Sequence, residues 1–157
     1  MQEFIYILII LLIYTSLYFI FTNEFSIYQT DIDHFNFDLL YTKQPIVINN
    51  LNLDIKNVLY NWFSYNIIKN NLMVYNEWDR NRYKYLLVIS KDSVEVTLCN
   101  PKISTTNGIP NTSNDISTIK LNNKTLIIPF KWYYHISSTN VETYGIHDYI
   151  TYLLDFV

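Results

Sequence analysis

The side chains best suited to chemistry in this 157-residue chain are its three histidines, His34, His135 and His147. Imidazole titrates near neutral pH and is the commonest protein ligand for metals. His135 lies in "NNKTLIIPFKWYYHISSTN" (122–140), where an apolar run meets Pro129 and then Trp132, Tyr133 and Tyr134. That stretch reads as strand, turn and strand: a metal-binding corner, or a packed aromatic remnant of one. His34 sits in "TDIDHFNFD" with Asp31, Asp33 and Asp38, carboxylates able to hold a divalent cation but more commonly solvated. "WDRNRYKY" (78–85) places Arg80, Arg82 and Lys84 among aromatics, where they can meet phosphate or an acidic partner.

Other chemistries are excluded by what the chain lacks. Cys99 is the single cysteine, so there is no intrachain disulfide and no thiolate zinc site. Two glycines cannot build a nucleophile elbow, a phosphate-cradling loop or a dinucleotide fingerprint. A net charge of −3 and a pI near 5.5 argue against a nucleic-acid binder. The chain has no Ala and 15 Tyr, a bias that fits AT-rich coding and makes its Asn runs compositional. For the same reason the sequons at Asn111 and Asn123 carry little weight.

The elements that must position these residues begin with "FIYILIILLIYTSLYFIF" (4–21), which has no charge, Gly or Pro. As a helix it rises about 27 Å, near a bilayer's hydrocarbon thickness. It lacks the basic start and small-residue cleavage site of a signal peptide. The expectation is an uncleaved transmembrane anchor over 1–22, contacting the lipid bilayer through 4–21. Membrane orientation has no signal, because no Lys or Arg precedes Lys43.

Residues 23–43 read as a tether, and 44–157 as one β-rich domain. "QPIVIN" (44–49) is a β-branched strand. Residues 53–69 follow a helical period through Ile55, Val58, Leu59, Trp62 and Phe63, capped by Asn52 or Asp54. Strands are expected at 72–75, 83–90, 93–99, 116–121, 125–130 and 132–137, with a hairpin at Lys91-Asp92 and a long loop over 100–115. "GIHDYITYLLDFV" ends the chain as an amphipathic helix, with His147 and Asp148 in its first turn.

This order, and above all "LIIPFKWYY", resembles the JmjC-like cupins. In the second cupin motif a Gly lies six residues before the Pro, and a His five after it. Here Asn123 takes the Gly place and Pro129 the Pro, while Tyr134 falls at the His place and His135 one residue late. Neighbours along a strand face opposite ways, so an inward Tyr134 turns His135 outward. The first His-x-Asp/Glu pair of the family is also missing from 72–121. The resemblance therefore implies a degenerate cupin-like domain, similar to small membrane proteins of large DNA viruses.

The expected fold is mainly β with two helices, a cupin-like and incomplete double-stranded β-helix barrel, plus one N-terminal transmembrane helix. The expected function is a non-catalytic, membrane-anchored structural or interaction protein. What the resemblance implies is a virion-membrane or minor capsid component, located in a virion membrane or host endomembrane and partnered by capsid or membrane proteins. No cofactor or metal is expected. Candidate binding residues are Trp132, Tyr133, Tyr134 and His135, with Trp62 and Trp78 in the core or at a contact surface. One alternative, again implied by the resemblance, is an Fe(II)/2-oxoglutarate oxygenase-like enzyme whose metal ligands would come from His135, His147 and Asp148. Another is a metal-free module that binds a small molecule or glycan.

Overall fold

The computed structural model describes residues 2–21, 25–49, 55–70, 72, 76–103, 105–106, 108–111 and 116–155. In chain order these form α1 (Gln2–Tyr18), β1 (Tyr28–Asp31), a short 3-10 turn (Ile32–His34), α2 (Asp38–Tyr41), β2 (Ile46–Asn49) and α3 (Ile55–Trp62). There follow β3 (Ile67–Asn70), β4 (Asp79–Arg80), β5 (Tyr85–Ser90), β6 (Val94–Cys99), β7 (Thr105–Thr106) and β8 (Ile109–Pro110). The chain closes with β9 (Ile116–Leu121), β10 (Lys124–Pro129), β11 (Tyr133–Ile136), β12 (Glu142–His147) and α4 (Tyr149–Leu154). The predicted caps Asn52 and Asp54, and residues 73–75 of the predicted strand at 72–75, lie outside the described residues.

Continuous apolar runs mark strands covered on both faces, and β2, β5 and β10 are of this kind. They sit in a six-stranded sheet of order β1-β2-β10-β5-β12-β3. Val47, Leu86, Val88, Leu126 and Ile128 turn to one side and meet Val94, Val96, Leu98, Leu121, Trp132 and Ile136 of a second layer. That layer is a four-stranded sheet of order β4-β11-β6-β9. The alternate residues Ile46, Ile48, Leu87, Ile89 and Ile127 turn the other way. There they are covered by Leu40 of α2, by Trp62 of α3 and by Phe35 and Phe63. Phe35 stacks on Trp62 with ring centres 4.5 Å apart.

Four expectations are corrected by this arrangement. The predicted barrel is an open sandwich, because among the described residues no ladder joins the edges β1 and β3 to the edges β4 and β9. There are four described helices rather than three, because α2 forms within the segment read as a tether. Lys91-Asp92 does not close a hairpin: β5 pairs with β10 and β12, whereas β6 pairs with β9 and β11, so the chain changes layer there. His147 ends β12 opposite Ile67, and the C-terminal helix starts only after Asp148. The Asp148 carboxylate caps that helix by accepting from the Thr151 backbone at 2.9 Å.

The transmembrane anchor is a fifth correction. The helix α1 has 17 residues, about 26 Å of rise, and no described helix is long and apolar enough to cross a membrane. Its end has physical causes. The Thr15 and Ser16 hydroxyls fold back onto the Leu12 and Ile13 carbonyls. The Lys43 ammonium then donates to the carbonyls of Leu17 and Ile20, capping the end of the helix and the residues just past it. The single-pass membrane localisation that rested on a longer helix falls with it. Within the segment read as a tether, β1 pairs in parallel with β2.

Candidate functional site

The residues singled out from sequence are placed by the corner between β10 and β11. Lys131 adopts φ +67° there. Asn81, just after β4, fixes that corner from below. Its amide donates to the carbonyls of Ile128 and Pro129, both at 2.8 Å. Its side-chain oxygen accepts from the Tyr83 backbone at 2.9 Å. Its own backbone exchanges bonds with Trp132 and Lys131 at 2.8 and 2.7 Å. One buried amide thus joins the two sheets.

Trp132, only 1% exposed, leaves the corner into the inter-sheet core. Its indole Nε1 donates to the Lys43 carbonyl at 3.0 Å, and Phe25 packs against its ring. Tyr133 is buried under the Arg80 guanidinium, 4.9 Å from its ring centre. Tyr134 packs against the inter-sheet core, and its hydroxyl donates to Asp79 Oδ2 at 2.9 Å. Burial first, and then the Asp79 charge, push the Tyr134 phenol well above its usual pKa.

His135 takes the opposite face of β11 and is half-buried beside Trp78, ring centres 5.9 Å apart at 45°. In register with it, Thr97 on β6 stands opposite His135, and Thr118 on β9 stands opposite Thr97. The two threonine hydroxyls share a hydrogen bond of 3.1 Å. Over the His135 and Thr97 end of this row opens a cleft of about 500 Å³ lined by Asn76, Glu77, Trp78, Thr97, Ile109 and His135.

His147 is elsewhere, in the six-stranded sheet. It is 0% exposed, between Tyr83 and Tyr152. Gly145 makes room for Tyr83: a Cβ at that position would lie 2.5 Å from the ring. The Nε2 of His147 makes no hydrogen bond, and the nearest carboxylate oxygen, Asp155 Oδ2, is 3.7 Å away. Nδ1 lies 3.4 Å from the Thr151 hydroxyl. Asp155 is instead engaged by Lys69 at 3.0 Å, with Arg82 3.7 Å off, while Asp148 pairs with Lys84 at 3.2 Å.

His135, His147 and Asp148 therefore do not converge. Among the described residues no three His, Cys, Asp or Glu side chains gather to hold a metal ion. Sequence reasoning missed the Thr97–Thr118 row, Asn81 and the Lys69–Asp155 pair. The alternation of "SVEVTLC" did place Thr97 on the outer face. The cross-strand neighbours of Thr97, and the partners of Asn81 and Asp155, depend on strand order, which alternation does not encode.

No family model matches the sequence, and no characterised protein or solved structure is significantly similar to it. The likeness to JmjC-like cupins accordingly rests on the sequence motif alone.

The His147 cluster sets a pH dependence. Burial lowers the His147 pKa from its ordinary 6.5, the Lys69 charge lowers it further, and Asp155 opposes them. The unfolded chain then takes this proton near 6.5, and the folded chain only at lower pH. The contribution is complete above that value and is lost as pH falls through it toward the folded pKa. Urea midpoints are expected to drop between about pH 7.5 and about pH 5.5, and His147→Gln to flatten the drop. An unchanged slope in that variant would remove His147 as the cause.

Proposed function

We propose that the chain is a non-catalytic interaction protein, in which a packed β sandwich presents an apolar helix to a protein partner. The observation that carries this reading is α1. Its large apolar side chains from Phe4 to Leu17 are 44–70% exposed, on every side of the helix. A helix that is hydrophobic all round is stable only when something covers it.

The sandwich supports the same reading. Its inter-sheet interior, the place of a ligand in a barrel, is filled by Leu98, Leu121, Leu126 and Trp132. The exit of α1 is braced, with Lys43 donating to the Leu17 and Ile20 carbonyls and Phe19 packing edge-on to Phe130 at 6.0 Å. Such a brace fixes the direction in which the helix is offered and lowers the ordering cost of docking.

Sedimentation of the full chain tests this reading. Without a partner, α1 is expected to cover itself by self-association, at a mass that is a multiple of 18.8 kDa. The double substitution Ile9→Lys and Leu12→Lys is expected to return a monomer with unchanged β-sheet circular dichroism. A wild-type monomer indifferent to these substitutions would sink the reading.

A further inference from the structure

We propose that the cleft over the outer face of the four-stranded sheet binds a neutral saccharide, with Trp78 as its stacking platform. The inference is independent of α1, which lines no part of this cleft.

The floor of the cleft is His135 and Thr97, part of a row built by register. His135, Thr97 and Thr118 stand side by side on β11, β6 and β9, facing away from the core. Cross-strand neighbours on one face lie about 5 Å apart, so an imidazole and hydroxyls repeat at about that interval. The wall is Trp78, half-buried and tilted 45° to His135, which leaves part of the indole open to the cleft. Asn76 and Glu77, both exposed, supply an amide and a carboxylate at the rim. The roof is Ile109 from the β7–β8 hairpin, 55% exposed and therefore not tied into the core. Gly108, at φ +81°, makes the turn that brings Ile109 back.

This set of groups selects a ligand class. A pyranose has an apolar face of C–H groups and a rim of hydroxyls. The first suits an aromatic platform; the second suits amide, carboxylate, imidazole and hydroxyl partners that both donate and accept. A volume of about 500 Å³ falls within the usual range for small-molecule sites. The charge pattern disfavours the other candidates. Glu77 repels phosphate and sulfate, and no Lys or Arg is among the lining residues. A metal would find only His135 and Glu77 as strong ligands, fewer than a stable site needs.

The test is calorimetric titration of the full chain with maltotriose, lactose and N,N′-diacetylchitobiose. At least one is expected to bind in the millimolar range, about −4 kcal/mol. Trp78→Ala is expected to weaken that binding at least tenfold, Trp78→Phe to retain it, and Thr97→Val to weaken it several-fold. Far-ultraviolet circular dichroism checks that each variant is folded. A second readout, saturation transfer from aromatic protons to the sugar, is expected to fade in Trp78→Ala. Failure of all three sugars at about 20 mM, a concentration well above the expected Kd, overturns the proposal. So does binding that ignores both Trp78→Ala and Thr97→Val.

Discussion

Trp132→Ala is expected to lower the stability of the sandwich by about 3–5 kcal/mol. The indole is enclosed between the sheets with Val47, Leu98 and Ile136 of the same cluster, so the cavity left behind has rigid walls. Strands on both sides of it are held by ladders, which prevents collapse into the space. The lost hydrogen bond adds to the cost. The Lys43 carbonyl that accepts from Nε1 at 3.0 Å would lose that donor. The same residue adopts φ +55°, a left-handed conformation that Lys tolerates poorly. It also carries the ammonium that holds the end of α1, so the substitution is expected to loosen α1 as well. Urea denaturation measures the loss. Trp132→Phe separates its parts, keeping much of the apolar area while losing the donor, for about 1–3 kcal/mol. A loss under about 1 kcal/mol in Trp132→Ala would mean that the corner repacks and that the core is not close-packed there.

How far the sequence reached depends on the range of the signal. Patterns confined to one strand were legible. "IVI", "LLVI" and "LII" named β2, β5 and β10, because burial on both faces writes itself as an unbroken run. Asn123, placed where a cupin motif has Gly, adopts φ +52°, the conformation Asn accepts best after Gly. The aromatic step after Pro129 also sorted by parity: Tyr134 packs on the core and His135 meets Trp78 on the other face. Signals between strands were not legible. The turn at Lys91-Asp92 looks like a hairpin locally, and only strand order reveals that β5 and β6 lie in different layers. The end of α1 was missed for the same reason. Its end is capped by the ammonium of Lys43, 26 residues from Leu17 in sequence. At the C-terminus, helical spacing from Ile146 onward hid a strand, because Ile146 and His147 are claimed by β3 through pairing that the spacing does not express.

Asn81→Ala is the second large effect, expected at about 3–5 kcal/mol although it removes little apolar area. The residue is 1% exposed, and its side chain satisfies three backbone groups. Removal leaves the Ile128 carbonyl and the Tyr83 N–H without a side-chain partner. The Pro129 carbonyl also accepts from the Trp132 N–H, in a long bond of 3.4 Å. Each buried group so stranded costs about 1–3 kcal/mol, and a water entering the gap would recover part of it. Asn81→Asp distinguishes hydrogen bonding from shape. It has the same outline and still accepts from Tyr83, but it points a carboxylate at two carbonyl oxygens. At neutral pH it is therefore expected to be at least as damaging as Asn81→Ala. Burial and the facing carbonyls raise the pKa of such a carboxyl in the folded state above its unfolded value near 3.9. The folded variant then binds a proton that the unfolded chain has lost, so its deficit against wild type shrinks as pH falls through the folded pKa. The protonated acid can donate to one carbonyl again. Urea midpoints of both proteins, compared pairwise from about pH 7 down to about pH 4, read this directly. A deficit that stays constant over that range would show that the amide acts by filling space, not by joining β10 to the corner that carries Trp132.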